Sequence, residues 1–478
     1  MSQDGTAPVA LRRAVGPVTA TATSAGLAFA AINFLGVVSV ATYAAGASAW
    51  LAITIALVVA LVVAGIFGEL NGMYPSAAGV RLYLGRAFGL RFALIATFAY
   101  MCTVVVVIAA DAFLIGAAIQ HTLHQPRALA FVWILVLLLV ATAANLRGIT
   151  LAGRVQSIVT YTVLAATTIV SLIAVMRPGR AYETPFALFG NGALSGFQAI
   201  AFAVFLFAAF EWVTTTAEEA RRPQVITRAL FVAPFMIWGA AALFALGLAH
   251  LVPKSVADAS AYPQLLLGRA ALGAVGESVM LAVTILTAIN TFNGGFLVAS
   301  RFLYAAARES NLPRSFARLN LRAVPWLSVV VLAAASAVVA GVVFITGNWL
   351  ILVAVGAALE SSVFALACVA LLRLRRREPT ATRPFRLRAA PWLAGGGAVL
   401  FTGLALAAGF SDPENPSAFS LVPALIVAVL TAVSWGYVRW VVPRLRRAAA
   451  ARAAAARASG AKARRRPTRP AAAPEGEN

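Results

Sequence analysis

An all-α membrane protein of twelve spanning helices is the fold class this sequence predicts, and three observations carry it. Hydrophobic residues make up 61% of the 478 and charged residues 11%, and the mean hydropathy is +0.88, beyond what a chain of this length keeps in water. The apolar residues fall in continuous runs near the length, about 20 residues, that a helix needs to cross the hydrocarbon, without the period of two that a barrel strand shows. Cationic residues, 38 against 16 acids for a formal net charge of +22, are spread unevenly between those runs.

In chain order the spans lie at roughly 17–44, 49–68, 92–119, 129–145, 155–176, 194–217, 229–251, 274–304, 327–346, 349–372, 391–410 and 417–441. The first 16 residues carry only Arg12 and Arg13 as cations and lead straight into the first span, so they read as a short cytoplasmic segment, not a cleavable leader. With that start inside, 33 of the 38 cations fall on the cytoplasmic side. Only Arg127, Arg177, Arg180, Lys254 and Arg269 fall outside, which predicts N-in, C-in topology and an even number of spans. From Arg444 onward ten cations oppose only Glu475 and Glu477 on an Ala-rich stretch. Residues 442–478 therefore read as a disordered basic tail whose partner, beside a bilayer, is anionic lipid and not nucleic acid.

Cys102 and Cys368 lie within spans with no evident pair and read as core filler. No GxxxxGK[ST] run is present, which argues against direct driving by ATP. His121, His124 and His250 sit at outer ends of spans and do not assemble a metal site, so no metal or cofactor is expected. The acids within spans are scattered over different helices without a histidine or cysteine beside them, which argues against an enzyme.

The inner connections carry the most specific signals. Span 2 exits through "ELNGMYPSAAG" (69–79); "NLRGITLAGR" (145–154) precedes span 5; span 6 reads "FAAFEW" (207–212) and then "EEARRP" (218–223); "SRFLYAAARESNLP" (300–313) follows span 8. In this order the four motifs resemble the amino acid/polyamine/organocation (APC) superfamily of permeases. The resemblance covers about residues 15–326, and spans 9–12 match in number and hydropathy alone. It implies the LeuT-type architecture of two five-helix repeats of inverted topology, here 17–178 and 194–374, followed by two extra helices within 391–441.

It also implies a substrate site near the midplane, where the first helix of each repeat is discontinuous. In span 6 the break is expected at Ala208 and Ala209, where the family commonly has a glycine at the position of Ala209. In span 1 the family's Gly-x-Gly is missing. Counting from Gly46 puts the break at Ile32, Asn33 and Phe34; aligning on Asn33 and Gly36 puts it at 35–38; "SAG" at 24–26 is a third position. We place it at Asn33 to Gly36. The N–H groups around Leu35 to Val37 are then expected to hold a substrate carboxylate, and the carbonyls near Phe207 and Ala208 its ammonium. Phe205, Phe210 and Trp212 are candidates for an aromatic wall or gate.

An acid within a span is costly and normally faces a cavity or a partner. Glu211 is thus a candidate for gating or proton coupling, or else a cap on the resumed half-helix. Asp111 in span 3 and Glu360 in span 10 are second candidates for proton handling or for a bond between helices. Sodium-coupled relatives hold the ion with oxygens of helices 1 and 8; Asn290, Thr291 and Asn293 stand in that region, without a clear serine/threonine pair. Some proton-coupled relatives have a lysine in helix 5, where this chain has Thr160, Tyr161, Thr162 and Val163. The coupling ion, H+ or Na+, stays open. Glu69, Glu218 and Glu219 neighbour arginines at inner ends, as gate salt bridges or ordinary surface pairs.

The expected function is secondary-active import or exchange of an amino acid or related small amine across the cell membrane. Alternating access would move a helix 1/helix 6 core against a helix 3/helix 8 scaffold. With no evident surplus of acids in the pocket and no buried arginine, neutral amino acids fit best. The alternative is a transporter-like sensor that binds its ligand without moving it.

Overall fold

The computed structural model describes residues 13–464 apart from 223, 411 and 413–417, with side chains to residue 455. Sixteen α-helices follow one another among these residues. They are α1 (Pro17–Ala28), α2 (Ile32–Tyr43), α3 (Ala49–Met73), α4 (Val80–Phe88), α5 (Leu90–Thr122), α6 (Arg127–Leu146), α7 (Ile149–Met176) and α8 (Ala193–Phe205). After a 3-10 helix, Phe210–Glu219, come α9 (Gln224–Leu251), α10 (Lys254–Asp258), α11 (Pro263–Arg308), α12 (Trp326–Thr346), α13 (Trp349–Arg377), α14 (Ala390–Phe410), α15 (Val422–Gly436) and α16 (Val442–Arg464). Among the described residues eleven candidate spans are long and apolar enough to cross a membrane, twelve if the bent pair α1 and α2 counts as one.

The helices sort into two packed groups. In one, α1 lies on α9, α2 on α8, and α3 on both α8 and α9; in the other, α5, α6, α11 and α12 pack on one another. Helix α7 sits between them against α1, α9 and α11, while α13 lies against α5 and α14. Since lipid is as apolar as the side chains, close approach decides which faces meet. Gly294 and Gly295 of α11 show this: a Cβ on the first would come within 2.8 Å of Leu27 Cδ1 and on the second within 2.8 Å of Ile108 Cδ1. Helix α11 can therefore touch α1 on one side and α5 on the other.

The arginine-rich end of the bundle is tied by ion pairs. Arg301 and Glu219, each 1% exposed, pair at 2.9 Å. Arg81 holds Glu309 by two bonds of 2.5 and 2.8 Å, and buried Glu69 receives Arg375 at 2.5 Å and Arg383 at 3.2 Å. Glu218 pairs with the exposed Arg308 at 3.0 Å and accepts the Ala77 N–H at 3.1 Å. A parallel backbone bridge, Val15 N–H to the Glu219 carbonyl at 2.9 Å and Arg221 N–H to the Val15 carbonyl at 3.0 Å, joins the approach to α1 with the end of the 3-10 helix. Of the three acids expected here, Glu69 and Glu219 are thus buried pairs, and Glu218 is the surface type.

The tail differs from expectation. Residues 442–464 are helical, joined to α15 by a π turn at Tyr437–Val441; alanine is the strongest helix former, and the run is rich in it. Tyr437 donates to the Asn311 carbonyl at 3.2 Å and Arg446 to Asn311 Oδ1 at 2.6 Å, which anchors the start of α16 to the segment after α11. The rest of the expected tail, 465–478, lies outside the described residues.

Replacing Glu219 by alanine leaves Arg301 buried without its carboxylate, and we expect a loss of about 3–5 kcal/mol. Replacing Glu218 removes an exposed pair worth less than about 1 kcal/mol. Thermal unfolding in detergent should rank the two variants in that order.

Candidate functional site

Two interrupted helices cross at the centre of the first packed group. Between α1 and α2 the chain bends by 56°, with residues 29–31 outside either helix. Phe29, Ala30 and Ala31 are not helix breakers, so the break is held from outside. The Ile32 N–H donates to Asp111 Oδ1 at 3.2 Å, and the Ala31 N–H and the Thr291 hydroxyl lie beside the same carboxyl. A carboxyl group thus faces the unpaired donors at the start of α2, where the helix dipole favours negative charge. The second break follows α8 at 206–209. There Ala209 is left-handed, φ 73° and ψ −3°, at a cost of roughly 1–2 kcal/mol for a residue with a Cβ. Its N–H donates to Glu360 Oε1 at 2.6 Å.

Polar bonds join the two breaks. Asn33 Nδ2 donates to the Leu206 carbonyl at 2.8 Å, and Ser24 Oγ donates to the Phe210 carbonyl at 2.7 Å. The Tyr100 hydroxyl of α5 donates to Glu211 Oε1. The Glu211 and Glu360 carboxyls lie against each other, close enough for one to donate to the other when it carries a proton. Trp212 stacks on Tyr100 with ring centroids 4.6 Å apart and meets Phe302 edge-on at 6.2 Å. The Thr291 hydroxyl has no other partner among the described residues and stands as a donor beside the Asp111 carboxyl. Asp111, Glu211 and Glu360 are buried, and no lysine or arginine among the described residues pairs with any of them.

This geometry corrects several expectations. The first break lies at 29–31, ahead of Asn33 to Gly36, and closest to the count that began at Ile32. Gly36 is inside α2, where a Cβ would come within 2.6 Å of Leu206 Cδ2; it is glycine to admit Leu206. Leu35 to Val37 are also inside α2, so the N–H groups at the break belong to Ala31 and Ile32. Phe34 packs between Phe29 and Phe244, at 5.6 and 5.0 Å, and Val37, Phe207 and Phe210 are buried in the same core. Leu35 in the first turn of α2, Phe205 at the end of α8 and Ala208 within the second break are half-buried. Three acids from three elements, Asp111, Glu211 and Glu360, stand around the two breaks, Glu211 and Glu360 against each other.

Asn290 and Asn293 belong elsewhere, to a buried chain of amides. Asn145 Nδ2 donates to Asn293 Oδ1 at 2.9 Å, Asn293 Nδ2 to Gln156 Oε1 at 2.8 Å, and Gln156 Nε2 to Asn290 Oδ1 at 2.5 Å. Thr160 donates to Asn290 Oδ1 at 2.7 Å and approaches the Ala22 carbonyl at 3.0 Å. These bonds tie α6, α7, α11 and α1 together. The residue the sequence reading missed is Tyr100. Its signal was the spacing to Asp111: eleven residues is three turns to within about 20°, so both stand on one face of α5.

Two clefts open away from the acids. One of about 160 Å³ lies beside α2 and α10, with Arg180, Glu183, Lys254 and Asp258 in its wall. Another of about 260 Å³ lies at the arginine-rich end between the approach to α1 and the start of α7.

A family model described as amino acid permease matches residues 20–463. Among curated proteins, the D-serine/D-alanine/glycine transporters of Escherichia coli strains K12 and O157:H7 are each 33% identical over 140 residues. That match covers 28% of this chain and 28% of each relative, so the aligned part is under a third of those proteins.

The left-handed Ala209 is a local cost that glycine would remove. We expect Ala209→Gly to raise the thermal midpoint in detergent, by roughly 1 kcal/mol at most after the entropy of glycine is counted. A lowered midpoint would mean that the turn is not strained.

Proposed function

The chain belongs to the amino acid permease family, and from that premise we propose that it is a secondary-active transporter of amino acids or related small amines. The observation that carries this reading is the meeting of two interrupted helices, cross-linked by Asn33 and Ser24. Backbone groups freed at such breaks, in a water-poor setting, are what a small polar ligand needs, and a few polar bonds there can be exchanged as the halves rock. In this reading the α1/α2, α3, α8 and α9 group moves against the α5, α6, α11 and α12 group, and the two breaks begin the two inverted repeats. The arginine-rich end faces the cytoplasm, in line with 33 of 38 cations lying on that side. The protein then resides in the cell membrane, and the arginines of α16 lie near anionic headgroups.

We assign energy coupling to protons. Two buried carboxyls in contact, Glu211 and Glu360, are tolerated only with a proton or another cation between them. Tyr100 and the Ala209 N–H fix the two groups on elements of different packed groups, so that a proton entering or leaving bears on how α5, α13 and the 3-10 helix sit together. Against sodium stands the amide chain, where Asn290 and Gln156 bond each other and Thr160 approaches the Ala22 carbonyl in the region where an ion would need free oxygens.

Purified protein in liposomes tests this with a panel of labelled amino acids and amines under an imposed pH or sodium gradient. We expect accumulation driven by the pH gradient, and in Glu211→Gln exchange of substrate that the gradient no longer drives. Accumulation that follows sodium and is unchanged in Glu211→Gln would refute the proton assignment; binding without accumulation of any panel member would refute transport in favour of a sensor.

A further inference from the structure

Thr150, Gly153, Arg154, Ser157 and Ile158, at the start of α7, follow the spacing of one helical face, and all of them line the cleft of about 260 Å³ at the arginine-rich end. The rest of its wall comes from the approach to α1, with Val15 and Thr19, and from Arg221 just after the 3-10 helix. We propose that this cleft binds the headgroup of an anionic phospholipid, whose phosphate is held by Arg154 and Arg221. It lies apart from the two helix breaks, and its occupant depends on the chain crossing a bilayer, not on what the chain carries.

Charge sets the sign of the ligand. Arg154 and Arg221 are exposed, and neither has an acid paired with it among the described residues. The acids nearest Arg221 in the chain are already committed, Glu219 to Arg301 and Glu218 to Arg308. Two uncompensated guanidinium groups from separate elements thus border one cleft, and such groups match a phosphate through paired N–H donors. The first turn of α7 also reaches the cleft, at Ile149 and Thr150. Its N–H groups lack helical acceptors, and the helix dipole there favours an anion. Thr19 and Thr150 add hydroxyls to the same wall.

The surroundings of the cleft set the rest of the ligand. Val18 of α1 and Ile158 are each 61% exposed, and an exposed apolar side chain on a spanning helix faces acyl chains. Arg154 and Ile158 are one turn apart, a rise of about 6 Å. The face therefore passes from cation to apolar side chain within the depth of the headgroup layer, roughly 5–8 Å on each side of the hydrocarbon core. The Tyr161 hydroxyl, further along this face, donates to the Val18 carbonyl at 3.2 Å, and tyrosine is favoured at that level of a membrane. A free phosphate gains nothing from the apolar rim, whereas a phospholipid does. The walls are also held in place. A Cβ on Gly153 would come within 2.7 Å of Thr19 Cγ2, so α7 and α1 meet closely there, and the Arg221 N–H donates to the Val15 carbonyl at 3.0 Å. A phosphate shared by Arg154 and Arg221 ties α7 to the Val15 bridge.

The full-length protein in detergent is titrated with dioctanoyl phosphatidylglycerol, with dioctanoyl phosphatidylcholine and with inorganic phosphate. The thermal midpoint is read, since a ligand of the folded form raises it in proportion to its occupancy. We expect saturable stabilisation by phosphatidylglycerol, with an apparent affinity about tenfold or more above that of the other two probes. Arg154→Gln and Arg221→Gln should each weaken it about tenfold, and Arg154→Lys, which keeps the charge without the paired donors, should weaken it less. Both arginines are exposed, so the midpoint without lipid should stay where it is in wild type. Arg452→Gln, at an exposed position of α16, should leave the affinity unchanged. Equal affinity for phosphatidylglycerol in wild type, Arg154→Gln and Arg221→Gln overturns the site, whatever the protein transports. A loss in Arg452→Gln as large as in Arg154→Gln also overturns it, because general attraction to basic surface then suffices. Inorganic phosphate binding as tightly as phosphatidylglycerol overturns the lipid assignment in favour of a soluble anion.

Discussion

Backbone groups that lose their helical partners inside an apolar bundle must be paired with something, and the centre of this structure is organised by that need. In lipid an unpaired N–H or carbonyl costs several kcal/mol, so each interruption here recruits a side chain from another helix. Asp111 takes the N–H of Ile32, Glu360 takes that of Ala209, Asn33 takes the Leu206 carbonyl and Ser24 that of Phe210. Two of these bonds tie α5 and α13 to the broken helices, and the other two join the broken helices to each other. The same bonds explain why Asp111 and Glu360 stand in spans, since each is placed against a backbone donor freed at a break.

Satisfaction is incomplete. The amide chain from Asn145 to Thr160 ties each of its members to a neighbour and so links α6, α7 and α11, although Asn145 Oδ1 and Asn290 Nδ2 have no partner among the described residues. The polar groups of the membrane interior thus divide into a neutral network between helices and an acidic one at the two breaks. At the arginine-rich end the buried Arg301–Glu219 pair and the Val15 bridge close the same helices against one another. Motion of α1 away from the 3-10 helix must break that bridge, which sets a barrier at that end.

Much of the fold was legible from hydropathy and charge. The spans near 49–68, 129–145, 155–176, 229–251 and 327–346 each fall on an observed helix, because a membrane helix announces itself by length alone. The break after α8 was legible too, from the position of Ala209. The break after α1 was not, because Phe29-Ala30-Ala31 has no local preference against helix; Asp111, eighty residues on, holds it open. Composition could say that Asp111, Glu211 and Glu360 each need a partner, but not that they would gather, since their meeting depends on how three separate elements cross. Asn33, placed by the sequence in the break itself, lies in the first turn of α2 and bonds the Leu206 carbonyl. Residues 442–464 were misread because a run of alanine and arginine is equally good as a basic tail and as a helix, and only the contacts of Tyr437 and Arg446 decide between them.

The central claim is that ligand enters between the two helix breaks, beside the acids, and not in the cleft bordered by Lys254 and Asp258. Substrate protection of single cysteines tests it most directly. With Cys102 and Cys368 replaced by alanine, a cysteine is introduced at Ala208, by the second break, or at Ala249, in the wall of that cleft, and its rate of alkylation by a small cationic thiol reagent is followed with and without saturating ligand. The account predicts that ligand slows modification at position 208 and leaves position 249 unaffected. Protection at 249 with an unchanged rate at 208 would contradict it.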